Sequence, residues 1–346
     1  MEITQTACEI PSTWSRIGCQ LTRNKEGNGK DVVGDPAIVW DADLPGWRMF
    51  LFCSPPGHGQ AVCRTTDTET IPITWESLAP LTFSNPEALL GGHTHKPVVV
   101  VESAHPNRAA RLEGRYCLLT VSINHSHKVV QRAWATQLAG PWTLDPGAFI
   151  DVGSASDFDG KHVDAVNGSW FPERGEVLYT YMGYPLQAQP NATSPFGSAQ
   201  GMAVSTTTGP AHKLGPVLPP CPIPGHWASG WVGGMQIMPG EKHRWIALIN
   251  ASPTAPRPDD LSISREEPAP SLGGFAVCDD PWPVKNWRWE PLPIIHVNDL
   301  EPVAISEGEG FNCWRHHLLI TKAGKAVYYN SGNYGEEQLF ARRAEE

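Results

Sequence analysis

Asp35, Asp164, Glu307 and Glu309 are the residues of this chain best placed in sequence for proton-transfer chemistry. Each stands at the start of a short apolar, aromatic-rich run: GDPAIVW, HVDAVNGSWF and EGEGFNCWRHHLLI. Two carboxyl groups held in different protonation states make an acid–base pair, and a third nearby raises the acid's pKa by like-charge repulsion. Asp is depleted inside strands, so Asp164 calls for an explanation. Asp35 precedes Pro36, where a turn alone would account for it. Lys96 and Arg315 suit an anionic or hydroxyl-rich group, or an ordinary ion pair. His95, His162 and His316 belong to the type that titrates near neutrality. Trp170, Trp231 and Trp314 offer flat aromatic faces, with Trp227 close by. His93 and His95 would share one face of a strand, but no third ligand follows at a metal-site spacing. Cys313, three residues before His316, falls on a strand where a free thiol is a small hydrophobe. No metal and no cofactor is expected. Nucleophile-elbow, phosphate-loop, dinucleotide and HExxH motifs are absent.

The elements that must position these side chains form a repeat. A turn leads into a short apolar strand, then a second strand rich in aromatics, then a third that ends in a Ser/Thr/Asp-rich turn and often a Trp. The first copy reads PAIVW, WRMFLFC and GQAVCRT. Later third strands, QRAWATQ, QGMAVSTT, GGFAVCDD and EQLFARR, align with QAVCRTTD. These runs are rich in β-branched and aromatic residues and bounded by Gly, Pro, Asn and Asp. Five copies fit radial repetition of four-stranded sheets. The expectation is one all-β domain over residues 1–346, a five-bladed β-propeller of four-stranded antiparallel sheets. The blades are centred on 34–80, 93–146, 161–210, 228–290 and 305–343. A β-sandwich, or two unrelated all-β domains, is the competing reading. RIGCQLT at 16–22 is expected to add a strand near the ring closure. In such a ring the first strand of each unit lines a central channel, so five distant segments converge on one funnel.

The block GDPAIVWD…GWRMFLFCS…QAVCRTTD…ITW is similar to the first blade of glycoside hydrolase families 43, 32 and 117. HVDAVNGSWFPERGEVLYTYMGYP resembles their third blade, and YYNSGNYGEEQLFARR their last. The resemblance covers about residues 31–343. It implies glycosidic bond cleavage, which needs one ionised carboxylate and one protonated carboxylic acid. It makes Asp35 the general base and Asp164 the orienting or pKa-tuning residue, with inversion the expected course on an oligosaccharide. The sequence departs from those families at the acid. The fourth unit begins HWASGWVGGMQIM and has no carboxylate where they carry a Glu. Glu309 or Glu307 is then the acid, or a histidine among His95, His162, His316 and His317. Lys96, Arg315 and the tryptophans are the expected sugar contacts. Two other functions remain open: a carbohydrate-binding propeller without catalysis, and a sugar phosphorylase or transglycosidase on the same fold. The phosphorylase would need a cationic phosphate cluster beside the base.

Composition narrows the field. Among 346 residues, 40% are hydrophobic and 18% charged, which is enough to bury a core. Gly 33 and Pro 33 imply many turns, and Trp 14 suits a propeller core or a sugar surface. A net charge of -10 argues against nucleic acid and anionic membrane as partners. No apolar run is long enough to span a bilayer. MEITQTACEIPSTW lacks the basic start and apolar core of a signal peptide, so a cytoplasmic location is expected unless a signal was removed. Eight scattered cysteines are then reduced, although Cys53 and Cys63 flank a hairpin and would be the pair to form if the chain were exported.

Overall fold

The computed structural model describes residues 8–11, 13–21, 32–54, 57–65, 70–76, 79–92, 94–186, 197–253, 271–295, 313–332 and 337–345. Glu307, Glu309 and His93 lie outside them. The fold is all-β. In chain order the strands are β1 (Trp14–Leu21), β2 (Val32–Asp41), β3 (Gly46–Ser54), β4 (Gly59–Arg64), β5 (Thr94–Val99), β6 (Val101–Glu102) and β7 (His105–Ala109). They continue with β8 (Tyr116–Asn124), β9 (His127–Ala135), β10 (Thr143–Leu144), β11 (His162–Phe171), β12 (Glu176–Tyr184), β13 (Ala199–Thr206) and β14 (His212–Leu218). The last are β15 (Trp231–Pro239), β16 (Trp245–Ser252), β17 (Leu272–Cys278), β18 (Arg288–Ile295), β19 (Cys313–Thr321), β20 (Gly324–Ser331) and β21 (Gln338–Ala344). Helical structure among the described residues is two 3-10 turns, Pro86–Ala88 and Leu90–Gly92. No helix is long and apolar enough to cross a membrane.

The strands form antiparallel four-stranded sheets in the orders β10-β9-β8-β5, β15-β16-β17-β18 and β1-β21-β20-β19. A fourth set, β14-β13-β12-β11, is joined through β6 and β7 to β2-β3-β4. The first repeat therefore has three strands rather than the expected four, and a lone bridge between Gln60 and Ala79 extends its edge. The N-terminal β1 pairs with β21 and completes the last sheet, as the RIGCQLT segment leads one to expect. The first strands of the five repeats contact one another in a closed cycle: β2 with β5, β5 with β11, β11 with β15, β15 with β19, and β19 with β2.

Local chemistry explains the hairpins. In the turn between β2 and β3, Asp41 Oδ1 accepts the N–H groups of Asp43 and Leu44, an Asx turn that reverses the chain. Its other oxygen holds Arg48 at 2.8 Å, both groups buried. Between neighbouring sheets the large apolar side chains interlock. Trp142, Tyr179 and Phe50 fill one interface, and Tyr329, Phe340 and Phe275 another. The six cysteines whose side chains are described are all free. Cys53 and Cys63 cannot pair, because Cys63 lies opposite Trp47 at one end of β3 and Cys53 sits at the other end.

One element has no counterpart in the other repeats. The hairpin β6–β7 leaves the second sheet and runs parallel to β11 at Trp170 and to β2 at Trp40. Its Asn107 is buried. The side-chain amide donates to the carbonyls of Leu318 (3.0 Å) and Ile38 (3.3 Å), and its oxygen accepts from Ile320 N (2.9 Å). It thus ties the far halves of the first and last inner strands together.

Candidate functional site

All five inner strands carry the same irregularity near their starts. Two residues oppose one on the neighbouring strand at Asp35–Pro36, Lys96–Pro97, Ala165–Val166, Gly233–Gly234 and Arg315–His316. These are β-bulges, which re-aim a side chain out of the sheet's alternation. At four of them the first residue is left-handed without being glycine: Asp35 (φ 52), Lys96 (φ 55), Ala165 (φ 46) and Arg315 (φ 47). Three of those four residues are charged, and with Asp164 they converge.

Asp164 is the anchor. It is fully buried. Its Oδ1 takes Lys96 Nζ at 2.8 Å and its own neighbour's N–H, Ala165 N, at 2.7 Å. Its Oδ2 takes Lys128 Nζ at 2.7 Å. Burial alone would raise this carboxyl, but the two ammonium groups outweigh it and hold the pKa well below the ordinary value. Lys96 is pushed the other way: burial would lower it, yet Asp164 and Asp35 keep it raised and cationic. Asp35 is 7% exposed and receives no hydrogen bond among the described residues. Desolvation raises its carboxyl above the ordinary value, opposed by Lys96 and Arg315 and reinforced by Asp164. Asp35 and Asp164 therefore share one electrostatic environment and are shifted in opposite directions within it.

Arg315 reaches in from the last sheet. Its Nη2 donates to Val166 O at 2.5 Å and to Asn167 Oδ1 at 3.2 Å. The guanidinium lies over Gly234, where an added Cβ would come within 2.8 Å of Nη1. Gly233 is in turn roofed by Asn250, whose Oδ1 accepts from Gly234 N at 2.8 Å. The glycine pair at the start of the fourth repeat thus makes room for an arginine and an asparagine where the resemblance leads one to expect a carboxylate.

The remaining expected site residues divide. His95 is half-buried in the cluster, edge-on to Phe52 at 5.7 Å and close enough to Asp164 to favour its ionised form. His162 is buried behind it. Its Nδ1 accepts from Lys128 N at 3.0 Å, and burial followed by Lys128 lowers its pKa to about 4, so it is neutral and positions Lys128. Trp231 and Trp314 stand at the starts of β15 and β19, beside the bulges. Trp170 is not in this cluster. It lies six positions past Asp164, about 20 Å along an extended strand, and its carbonyl receives Ser103 N of the β6–β7 hairpin. His316 is also elsewhere. The bulge that sends Arg315 inward turns His316 between the last two sheets, stacked on Tyr329 at 5.5 Å and abutting Gly273. Burial lowers its pKa to about 3. His317 lies deeper, with Nε2 3.1 Å from Ile38 N, and burial lowers it likewise to about 3. Lys128, on β9, is the residue that sequence reasoning missed. Among the described residues no three His, Cys, Asp or Glu side chains gather as a metal set.

No protein family matches the sequence, and no curated protein does. Solved structures do match. One described as "Glycoside hydrolase" aligns over 96% of this chain and 93% of its own, at 11% identity and a TM-score of 0.68. The fold is shared with glycoside hydrolases. The catalytic domain of the Coprinopsis cinerea GH62 α-L-arabinofuranosidase aligns over 96% and 97% of the two chains, at 11% identity and a TM-score of 0.55. A family 117 glycoside hydrolase of Zobellia galactanivorans aligns over 96% and 90%, at 14% identity and 0.54. At these identities the likeness is one of fold, and chemistry has to be argued from the side chains.

Proposed function

We propose that the five sheets are the blades of one propeller and that the chain is a glycoside hydrolase acting in its central funnel. The observation that carries the reading is the pairing of two buried carboxyls at the inner-strand starts, one locked as an anion and one pushed upward. Asp164, with both oxygens engaged by Lys96, Lys128 and Ala165 N, is held as the anion and orients Lys96 beside Asp35. Asp35 is the one described carboxyl of the pair with no donor already upon it. Its raised pKa makes it a stronger base than an exposed Asp, and Lys96 and Arg315 keep the anion attainable. In an inverting reaction it would take a proton from the water that attacks the anomeric carbon. The proton for the leaving oxygen would come from Glu309 or Glu307, outside the described residues, or from His95, the histidine that stands in the cluster. The neutral, buried His316 and His317 are poor donors.

The test is a screen of aryl-glycosides and of plant, algal and bacterial glycans, with Asp35→Asn as control. Turnover that disappears in a folded Asp35→Asn supports the reading. Turnover unchanged in that variant removes Asp35 as the base. Binding of a glycan with no turnover at any pH would favour the non-catalytic propeller.

A further inference from the structure

We infer that the sugar held in this funnel carries an anionic group, a carboxylate or a phosphate, and that Arg315 reads it. This rests on the funnel being the sugar site. Three cationic side chains, Lys96, Lys128 and Arg315, meet two carboxyls, Asp35 and Asp164. Both lysines are matched by Asp164. Arg315 touches no carboxylate: its only acceptors among the described residues are the neutral Val166 O and Asn167 Oδ1. Its Nη1 is buried and meets no hydrogen-bond acceptor. The residue as a whole is 5% exposed. A guanidinium in that condition is costly unless an anion completes it, and guanidinium N–H groups favour the oxygens of carboxylates and phosphates as acceptors. The chain also makes room for this arrangement, since a Cβ at Gly234 would lie 2.8 Å from Arg315 Nη1. The excess of positive charge is local, in a chain whose net charge is -10.

Titration calorimetry distinguishes the sources. Glucuronate and galacturonate form one arm, glucose 1-phosphate and glucose 6-phosphate a second, and glucose and galactose the neutral reference. Each is titrated into the wild-type protein, Asp35→Asn, Arg315→Gln and Arg315→Lys. The expected result is binding at least tenfold tighter for one anionic arm than for the neutral sugars. That preference should be lost in Arg315→Gln and partly kept in Arg315→Lys, which retains the charge. Equal binding of neutral and anionic sugars, no binding of either, or a folded Arg315→Gln with the preference intact would overturn the inference. If Arg315→Gln does not fold, the wild-type preference and Arg315→Lys decide. Turnover of neutral glycosides without the preference sinks this inference and leaves the hydrolase reading standing. A preference retained in Asp35→Asn, with no turnover by the wild type, does the reverse.

Discussion

Replacing Asp164 with Asn tests the charge architecture directly. The substitution keeps the shape and removes the anion that two ammonium groups share. Breaking a buried ion pair from one side costs about 3–5 kcal/mol, because the stranded charge stays desolvated. The Lys96 and Lys128 side chains are 19% and 25% exposed, so the lower end, about 3 kcal/mol, applies. With about 2.1 cal/mol/K of unfolding entropy per residue over 346 residues, 1 kcal/mol moves the melting temperature by about 1.4 °C. Asp164→Asn should therefore melt about 4 °C below the wild type at neutral pH. The pH dependence is more diagnostic. Asp164 is held well below 3.8 in the folded protein, so its contribution is complete above the unfolded value and fades as pH falls through the lower folded one. Below about pH 4 the wild type should lose about 1.4 kcal/mol per pH unit more than the variant, the signature of one extra proton taken up on unfolding. Urea denaturation between pH 2.5 and 7 reads both quantities. A variant as stable as the wild type at pH 7, or two parallel pH profiles, would refute the assignment of Asp164 as the ionised anchor.

Asp35→Asn should lower turnover by about 100-fold to 10,000-fold with an unchanged circular dichroism spectrum, since no described hydrogen bond is lost; a variant that retains turnover contradicts the base role. Asn107→Ala should cost about 3 kcal/mol in urea unfolding, because it strands the amide of Ile320 and the carbonyls of Leu318 and Ile38; a cost under about 1 kcal/mol would show that the hairpin does not clamp the inner strands. Glu309→Gln and Glu307→Gln should be compared on natural glycans and on activated aryl-glycosides. The true acid is needed most where the leaving group is poor, and if neither change slows the natural substrate selectively, His95→Ala is expected to.

What could be read from the chain was what the repeat made visible. Aligning the copies placed Asp35, Lys96 and Asp164 at equivalent strand starts, where they meet, but put Glu307 or Glu309 at the start of the fifth repeat, where the structure brings in Arg315. Lys128 escaped because it enters from the third strand of the second sheet, and only the tight β8–β9 hairpin, pairing Asn124 with His127, delivers it to Asp164. Trp170 falls outside the cluster because a strand has two ends and the pattern does not say at which one the charged residues gather. His316 falls outside the cluster because simple alternation fails at a bulge: Arg315 and His316 are adjacent, and the left-handed residue sends one toward Asp35 and the other between sheets. The β6–β7 hairpin was invisible as well, since HPNRA carries no strand pattern and is held by pairing to β2 and β11 rather than by its own sheet.

The bulges also explain how neighbouring strand starts can concentrate charge. An unbroken strand would alternate its side chains between the two faces of its own sheet. A left-handed residue costs a non-glycine side chain of order 1 kcal/mol or more, and here Asp35, Lys96 and Arg315 all bear that cost at the one position where it aims them at each other. Only β15 has glycines at its bulge, Gly233 and Gly234, and neither is left-handed. There the absence of side chains admits the Arg315 guanidinium and Asn250 instead. On the hydrolase reading, the proton for the leaving group therefore has to come from outside β15.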